Sequence, residues 1–69
     1  MTSAIVTDQL KKQHFKVSGE VTEVQKLRDG STLMKDDVRF YKVDGTQIKL
    51  GFFRKGKFHY SKNNIVLIN

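Results

Sequence analysis

Three segments that end in glycine divide this chain into short pieces, and they constrain its fold more than any other feature. They are Arg28-Asp29-Gly30, Val43-Asp44-Gly45 and Arg54-Lys55-Gly56. Glycine adopts a positive φ at little cost, so each segment is typical of a hairpin loop between two strands. The chain has 69 residues and no cysteine, so one small core must hold these strands together without disulfides. We therefore expect a single domain over residues 1–69.

The apolar residues around the second loop favour a three-residue connection that sets Lys42 opposite Thr46. The same choice at the third loop sets Phe53 opposite Lys57. One face of the predicted sheet then carries the apolar side chains: Val38, Phe40, Ile48, Leu50, Phe52, Phe58 and Tyr60. The other face carries cations and rings together: Arg39, Tyr41, Gln47, Lys49, Phe53, Lys57 and His59.

The segments outside these hairpins are less regular. Thr7 predicts a capped helix over about residues 8–15, with Leu10 turned inward. Residues 17–27 fit either a helix with valines at helical spacing or a bent strand with a bulge. We favour the strand, because β-branched residues are frequent there. The segment Ile65–Ile68 is apolar on both sides of any strand, which predicts a covered strand or a contact between subunits.

With residues 17–27 as a strand, part of the chain resembles the opening of OB-fold nucleic-acid-binding domains. The resemblance covers roughly residues 16–53 and rests on the stretches Val17-Ser-Gly-Glu-Val21 and Phe40-Tyr-Lys-Val-Asp-Gly-Thr-Gln-Ile48. It implies a mainly β fold, a small five-stranded antiparallel barrel with a short N-terminal helix. It also implies that the second and third strands, here about 37–42 and 46–53, form the binding face.

The chain departs from this family after the third strand. OB folds usually place a helix there, and this chain has only Arg54-Lys55-Gly56. An SH3-like barrel, or a compact barrel of the cold-shock type, therefore stays open as an interpretation. If residues 18–28 are instead helical, the chain is typical of a winged-helix-like DNA binder with the same basic turn as its wing.

The net charge of +6 lies entirely in the second half of the chain. Residues 38–69 carry seven basic side chains and one acidic one, together with six of the seven aromatic rings. Cations attract phosphates and rings can stack on bases, so this region predicts a nucleic-acid-binding surface for DNA or RNA. The candidate contact residues are Arg39, Tyr41, Lys49, Phe53, Arg54, Lys55, Lys57 and His59.

Two other partners fit the same features. The charges can steer a small regulatory or inhibitor protein onto an acidic surface of another protein, with rings as anchors. The apolar segment Ile65–Ile68 can pair with a second copy of the chain. Either partner would use side chains of the second half of the sequence.

Enzymatic chemistry has no signature in the sequence. His14 and His59 are far apart and lack a carboxylate at ligand spacing. The adjacent Asp36 and Asp37 would point to opposite faces of a strand, so we interpret this pair as a surface turn. We expect no catalytic residue, no metal and no cofactor. The longest apolar run, Ile65–Ile68, is far shorter than the roughly 20 residues of a membrane-spanning helix, and no signal peptide is evident. We expect a cytoplasmic protein without a membrane partner.

Overall fold

The computed structural model describes residues 3–68 as one helix followed by five strands. The elements are α1 (Ser3–Lys12), β1 (Thr22–Lys26), β2 (Thr32–Lys35), β3 (Phe40–Asp44), β4 (Gln47–Arg54) and β5 (Lys57–Leu67). The strands form a single antiparallel sheet in the order β1-β2-β3-β4-β5. The prediction of a mainly β fold with a short N-terminal helix is confirmed.

The sheet is an open meander within the described residues. β1 and β5 lie at its two ends, and no pairing joins them there. Closure into a barrel is therefore not confirmed. No helix in residues 3–68 is long and apolar enough to span a membrane.

The helix begins earlier than the sequence predicted. Thr7 lies inside α1 rather than at its cap, because its hydroxyl donates to the carbonyl of Ser3 (2.7 Å) and accepts from the buried N–H of Val21 (3.2 Å). This second bond connects the helix to the chain just before β1. The inward position of Leu10 is confirmed, since Leu10 is fully buried.

The helix ends in a Schellman motif built on a histidine. His14 takes a left-handed φ of 67°, and its N–H bonds to the carbonyl of Lys11, while the N–H of Phe15 bonds to the carbonyl of Leu10. These bonds satisfy two carbonyls that the end of a helix leaves free. Phe15 also packs against the core. The helix end therefore fixes the direction in which the chain leaves α1.

Of the strand favoured over residues 17–27, only Thr22–Lys26 forms β1; residues 17–21 precede it as an irregular segment, and no part of the stretch is helical. The register between β1 and β2 shifts between Glu23 and Gln25, which makes Val24 a bulge. The predicted bulge is thus confirmed. The winged-helix interpretation is wrong, because it needs a second helix here.

All three glycine-ended segments lie in hairpin turns, but only the first turn has a three-residue loop. In that turn the N–H of Leu27 bonds to the carbonyl of Ser31 (2.8 Å), which encloses residues 28–30. The second loop has two residues, since Asp44 pairs with Gln47. The third also has two, since Arg54 pairs with Lys57. The three-residue loops predicted at these two turns are wrong.

The corrected pairing changes which side chains share a face. Tyr41 and Val43 lie opposite Leu50 and Ile48, so these four side chains face the helix. Phe40 is directed to the other side of the sheet. The helix-side core consists of Val6, Leu10, Val21, Met34, Tyr41, Val43, Ile48, Leu50 and Val66. The other side, which we call the open face, carries no helix in the described structure.

β5 is an outermost strand of this sheet. Val66 is fully buried under the helix, whereas Leu67 is about half exposed, so the predicted cover on both faces is absent among the described residues. The Gln13 amide donates to the carbonyl of Leu67 (2.6 Å). That side chain occupies part of the strand edge to which a second copy would have to pair.

Gly51 lies in β4 opposite Tyr60, with the backbone of β5 directly where its side chain would be. A Cβ atom on Gly51 would be 1.9 Å from the carbonyl oxygen of His59, and real Cβ contacts are never so short. The register also shifts here, with residues 61–64 looping out opposite Leu50. Because Gly51 has no side chain, the His59 carbonyl can lie this close to β4 and the hairpin can continue past this point.

Candidate functional site

The hairpin of β4 and β5 extends past the rest of the sheet. β3 begins at Phe40, opposite Gly51, so residues 52–59 have no neighbouring strand besides each other. We call these residues the arm. Its three residue pairs give it a length of about 10 Å, at about 3.3 Å per residue. The arm therefore has two faces that other strands leave uncovered.

The tip of the arm is a tight turn that carries three cations. Lys55 and Gly56 both have positive φ, 52° and 76°, which is the signature of a type I′ turn. Arg54 and Lys57 form the pair that closes the turn. Within residues 3–68, none of the three basic side chains makes an ion pair. Their charges therefore face solvent without an ion-pair partner in the part of the chain that the structure describes.

One face of the arm points to the helix side and combines rings with cations. Phe52 pairs with His59 across the two strands, and their rings stack with centroids 5.3 Å apart and planes inclined by 24°. The Phe52 side chain is 55% exposed. By alternation along the strands, Arg54 and Lys57 lie on this same face. This face of the arm therefore presents two stacked rings next to two cations.

The other face of the arm continues the open face of the sheet and carries a cluster of four rings. The ring cluster is formed by Phe40, Phe53, Phe58 and Tyr60. Phe53 lies edge-to-face against Phe40 (6.0 Å) and Phe58 (5.3 Å), and Phe58 contacts Tyr60 (6.1 Å). The ammonium group of Lys49 lies 5.0 Å from the Tyr60 ring centroid. Rings that pack on one another in this way are half-buried and stabilise the base of the arm.

Two lysines that face each other on the open face already have acidic partners. Lys42 lies opposite Lys49 in the sheet. Lys42 forms an ion pair with Asp29 (2.8 Å), and Lys49 forms a longer one with Asp44 (3.6 Å). Asp29 also accepts bonds from Ser31, and these contacts with Lys42 and Ser31 hold its pKa well below the usual range. The cations of the sheet are therefore less available to phosphates than those of the arm tip.

Arg39 lies in the exposed loop between β2 and β3 and lines two clefts. The first, of about 300 Å³, lies at the base of the arm and is also lined by Leu50, Gly51, Phe52 and Asn64. We call it the arm-base cleft. The second, of about 360 Å³, is lined by Lys16, Val17, Ser18, Asp36 and Val38 as well as Arg39. Arg39 therefore places a cation between these two clefts.

Tyr41 does not lie on any exposed face. It is fully buried in the core, and its hydroxyl donates to the Asp36 carboxylate (2.5 Å). Burial raises the pKa of Tyr41 well above its usual range, and the bond to the ionised Asp36 raises it further. The ring is inaccessible to a base, so the structure removes Tyr41 from the predicted stacking residues.

Asp36 is the centre of the loop that closes over Tyr41. Besides the tyrosine hydroxyl, it accepts bonds from the backbone N–H groups of Ser18 (3.1 Å), Val38 (2.8 Å) and Arg39 (2.7 Å). Burial opposes its ionisation, but the bond from Tyr41 and the three N–H groups outweigh burial and lower the pKa of Asp36 to about 2. The predicted surface turn at Asp36-Asp37 is therefore wrong for Asp36, which is 6% exposed.

The predicted site residues separate into three groups in the structure. Arg54, Lys55, Lys57 and His59 lie together on the arm, with Arg39 near its base. Lys49 and Phe53 lie on the open face, where Lys49 contacts Tyr60 of the ring cluster. Tyr41 lies in the core.

Phe52 was missed as a surface residue and assigned to the buried face instead. The signal that could have found it is the loop length, because a two-residue loop at Lys55-Gly56 pairs Phe52 with His59 rather than with Phe58. Lysine is uncommon at a left-handed position. The sequence alone therefore gave little reason to choose that turn.

No group of three or more His, Cys, Asp or Glu side chains suited to a metal ion lies together in residues 3–68. No protein-family model, curated protein or solved structure matches this chain.

Proposed function

We propose that this protein is a non-catalytic nucleic-acid-binding module that uses the arm as its main contact. The observation that carries the proposal is the arm tip. Arg54, Lys55 and Lys57 surround one tight turn, lack ion pairs among the described residues and adjoin the exposed ring of Phe52. Cations on a projecting hairpin reach phosphates and release counterions, and a two-stranded ribbon is narrow enough to enter a groove.

The proposal rests on this surface and not on a fold family. Closure of this meander into a barrel would require its end strands, β1 and β5, to pair, and the described strands form an open sheet instead. The arm supports binding in either architecture, because its charge and exposure are local properties of residues 52–59. Arg39 adds a fourth cation near the base of the arm.

The test is a titration of fluorescently labelled single-stranded and duplex oligonucleotides, followed by anisotropy at several salt concentrations. We expect affinity to fall with salt, because each neutralised phosphate contributes about 0.7 to the logarithmic slope for single strands and about 0.9 for duplex. The double variant Lys55→Gln/Lys57→Gln should reduce that slope by about 1.4 or more.

The matched control is Lys11→Gln/Lys12→Gln, which removes the same charge from the exposed end of α1. Equal losses for the two double variants would show that binding depends on net charge alone and would contradict the assignment to the arm. Absence of binding to every oligonucleotide at low salt would contradict the proposed function itself.

A second candidate function is docking on an acidic surface of another protein. The exposed Phe52, with Arg54 and Lys57 on the same face of the arm, has the composition of an interface anchor with a charged rim. Affinity capture with the wild-type protein and with Phe52→Ala, after nuclease treatment, tests it. Recovery of one acidic protein by the wild type alone would favour this candidate, and equal recovery by both would remove it.

A further inference from the structure

We infer that the arm-base cleft binds one unpaired nucleotide and that the preferred ligand is therefore a single-stranded nucleic acid. This inference rests on the proposed function and adds the class of nucleic acid and the residues that hold it. Three properties of the cleft carry it: its size, the stacked ring in its wall and the charge at its rim.

The size of the cleft suits one planar heterocycle with its sugar. Its volume is about 300 Å³, at the lower end of the range of about 300–1,000 Å³ for small-molecule sites. Leu50, which is 3% exposed, and Gly51 contribute to its lining. A base pair within a duplex presents only its edges in the grooves. An unpaired base can enter the cleft, whereas a base held in a duplex cannot.

The Phe52 ring that lines the cleft is supported by a second ring. Phe52 lines the cleft and at the same time stacks on His59, with an inclination of 24° between the rings. A base that enters the cleft extends this stack to a third ring. The support of His59 reduces the freedom that Phe52 would otherwise lose on binding. The adjacent ring of Phe53 offers no such platform, because it lies edge-to-face against Phe40 and Phe58.

The rim of the cleft supplies the polar contacts that a nucleotide needs. Arg39 lines both this cleft and the neighbouring one that includes Lys16, and its side chain makes no ion pair within residues 3–68. A phosphate between two successive nucleotides therefore has the Arg39 cation between the two clefts. Asn64 brings both donor and acceptor capacity to the edge of the base. The arm tip then contacts a phosphate on the other side of the bound base.

The main comparison is between the wild-type 69-residue chain and its variants Phe52→Ala and Phe53→Leu. Phe53 is the matched control, since it is the adjacent ring on the opposite face of the same strand. Each protein is titrated with labelled oligo-dT and oligo-U decamers and with a 16-base-pair duplex. Thermal unfolding of each variant confirms that it is folded at the temperature of the titration.

We expect Phe52→Ala to weaken binding of the decamers by about 5- to 140-fold, which is the stacking contribution of one base. Its affinity for the duplex should stay within about threefold of wild type, and Phe53→Leu should retain binding of the decamers. Arg39→Gln should lower the logarithmic salt slope of decamer binding by about 1. A separate protein, Phe52→Trp, should lose much of its tryptophan fluorescence when a decamer stacks on the indole, and duplex should leave the signal unchanged.

Failure of this inference is distinguishable from failure of the proposed function. If decamers bind with the expected dependence on Lys55 and Lys57 but Phe52→Ala has no effect, the arm binds nucleic acid and the cleft does not hold a base. A larger loss for Phe53→Leu than for Phe52→Ala would transfer stacking to the ring cluster and overturn the assignment to the cleft. Unchanged fluorescence of Phe52→Trp at saturation with a decamer would also overturn it.

Discussion

Replacement of Asp36 by asparagine should destabilise the protein at neutral pH and remove part of its acid sensitivity. In the folded state, hydrogen bonds from Tyr41 and three backbone N–H groups outweigh burial and lower the pKa of Asp36 from 3.8 to about 2. At about 1.36 kcal/mol for each pKa unit, this difference corresponds to about 2 kcal/mol of folding free energy. Because the folded pKa is the lower one, the contribution is complete above about pH 4 and is lost as the pH falls toward 2.

The asparagine amide makes the loss larger than the charge alone. Each carboxylate oxygen of Asp36 accepts two bonds, Oδ1 from Val38 and Arg39 and Oδ2 from Ser18 and Tyr41. An NH₂ group in place of Oδ1 would face the N–H groups of Val38 and Arg39, and in place of Oδ2 it would face the N–H of Ser18, while the Tyr41 hydroxyl can turn to accept from it. Either orientation leaves at least one N–H donor unsatisfied, at a cost of about 1–3 kcal/mol. At 4–8 °C for each kcal/mol in a domain of this size, the first 2 kcal/mol alone should lower Tm by about 8–16 °C.

The assay is thermal and urea unfolding of the wild type, Asp36→Asn and Asp37→Asn between pH 7 and pH 2. Asp37→Asn is the control, because Asp37 is exposed and adjacent, and it should change stability by less than about 0.5 kcal/mol. Asp29 titrates in the same acid range, so the informative quantity is the difference between wild type and variant at each pH. That difference should shrink by about 2 kcal/mol between pH 4 and pH 2. A constant difference, or a variant as stable as wild type at pH 7, would refute the reasoning.

Three further predictions concern the backbone and the two faces of the arm. Gly51→Ala should destabilise the fold strongly in urea unfolding, because its Cβ would lie 1.9 Å from the carbonyl oxygen of His59; a midpoint equal to wild type would contradict that contact. His14→Gly should raise the free energy of unfolding by up to about 1 kcal/mol and so raise the urea midpoint, since a residue with a Cβ atom is strained at a φ of 67°. A lower midpoint would argue against the left-handed helix end. Phe53→Ala should cost about 1–3 kcal/mol through its two ring contacts, whereas Phe52→Ala should cost less than about 1 kcal/mol; the reverse order would contradict the pairing of β4 with β5.

The local parts of the fold could be predicted from the sequence. Each hairpin is encoded by a glycine that adopts a positive φ, and this signal needs no knowledge of the rest of the chain. The bulge at Val24 was also visible, because the alternation of apolar residues slips at that point. The existence of the helix followed from local pattern as well, but its first residue did not. Thr7 resembles a cap in the sequence, and only the contact with Val21 gives its hydroxyl a partner inside the helix.

The role of Asp36 depends on contacts that no local pattern reveals. Its neighbour in sequence, Asp37, is equally acidic and stays exposed. The difference arises because the loop after β2 turns the N–H groups of Val38 and Arg39 back onto one carboxylate, while Tyr41 reaches it from the core. A buried tyrosine requires a partner for its hydroxyl. Tyr41 was predicted as a stacking residue because the predicted strand pairing placed it on the exposed face of the sheet.

The prediction of the site depended on the strand register, and the choice of the stacking ring depended on it more than the position of the tip cations did. A slip of one residue moves every side chain of a strand to the other face of the sheet. The predicted pairing therefore placed Phe40 and Phe58 on the face of Phe52, whereas in the structure both rings contact Phe53. The position of the three tip cations did not change, because residues of a tight turn project beyond the strands in either register. The electrostatic part of the proposal therefore follows from the sequence itself. The choice of the stacking ring follows from the two two-residue turns. The turn at Lys55-Gly56 pairs Phe52 with His59 and Phe53 with Phe58, and the turn that pairs Asp44 with Gln47 brings Phe40 against Phe53.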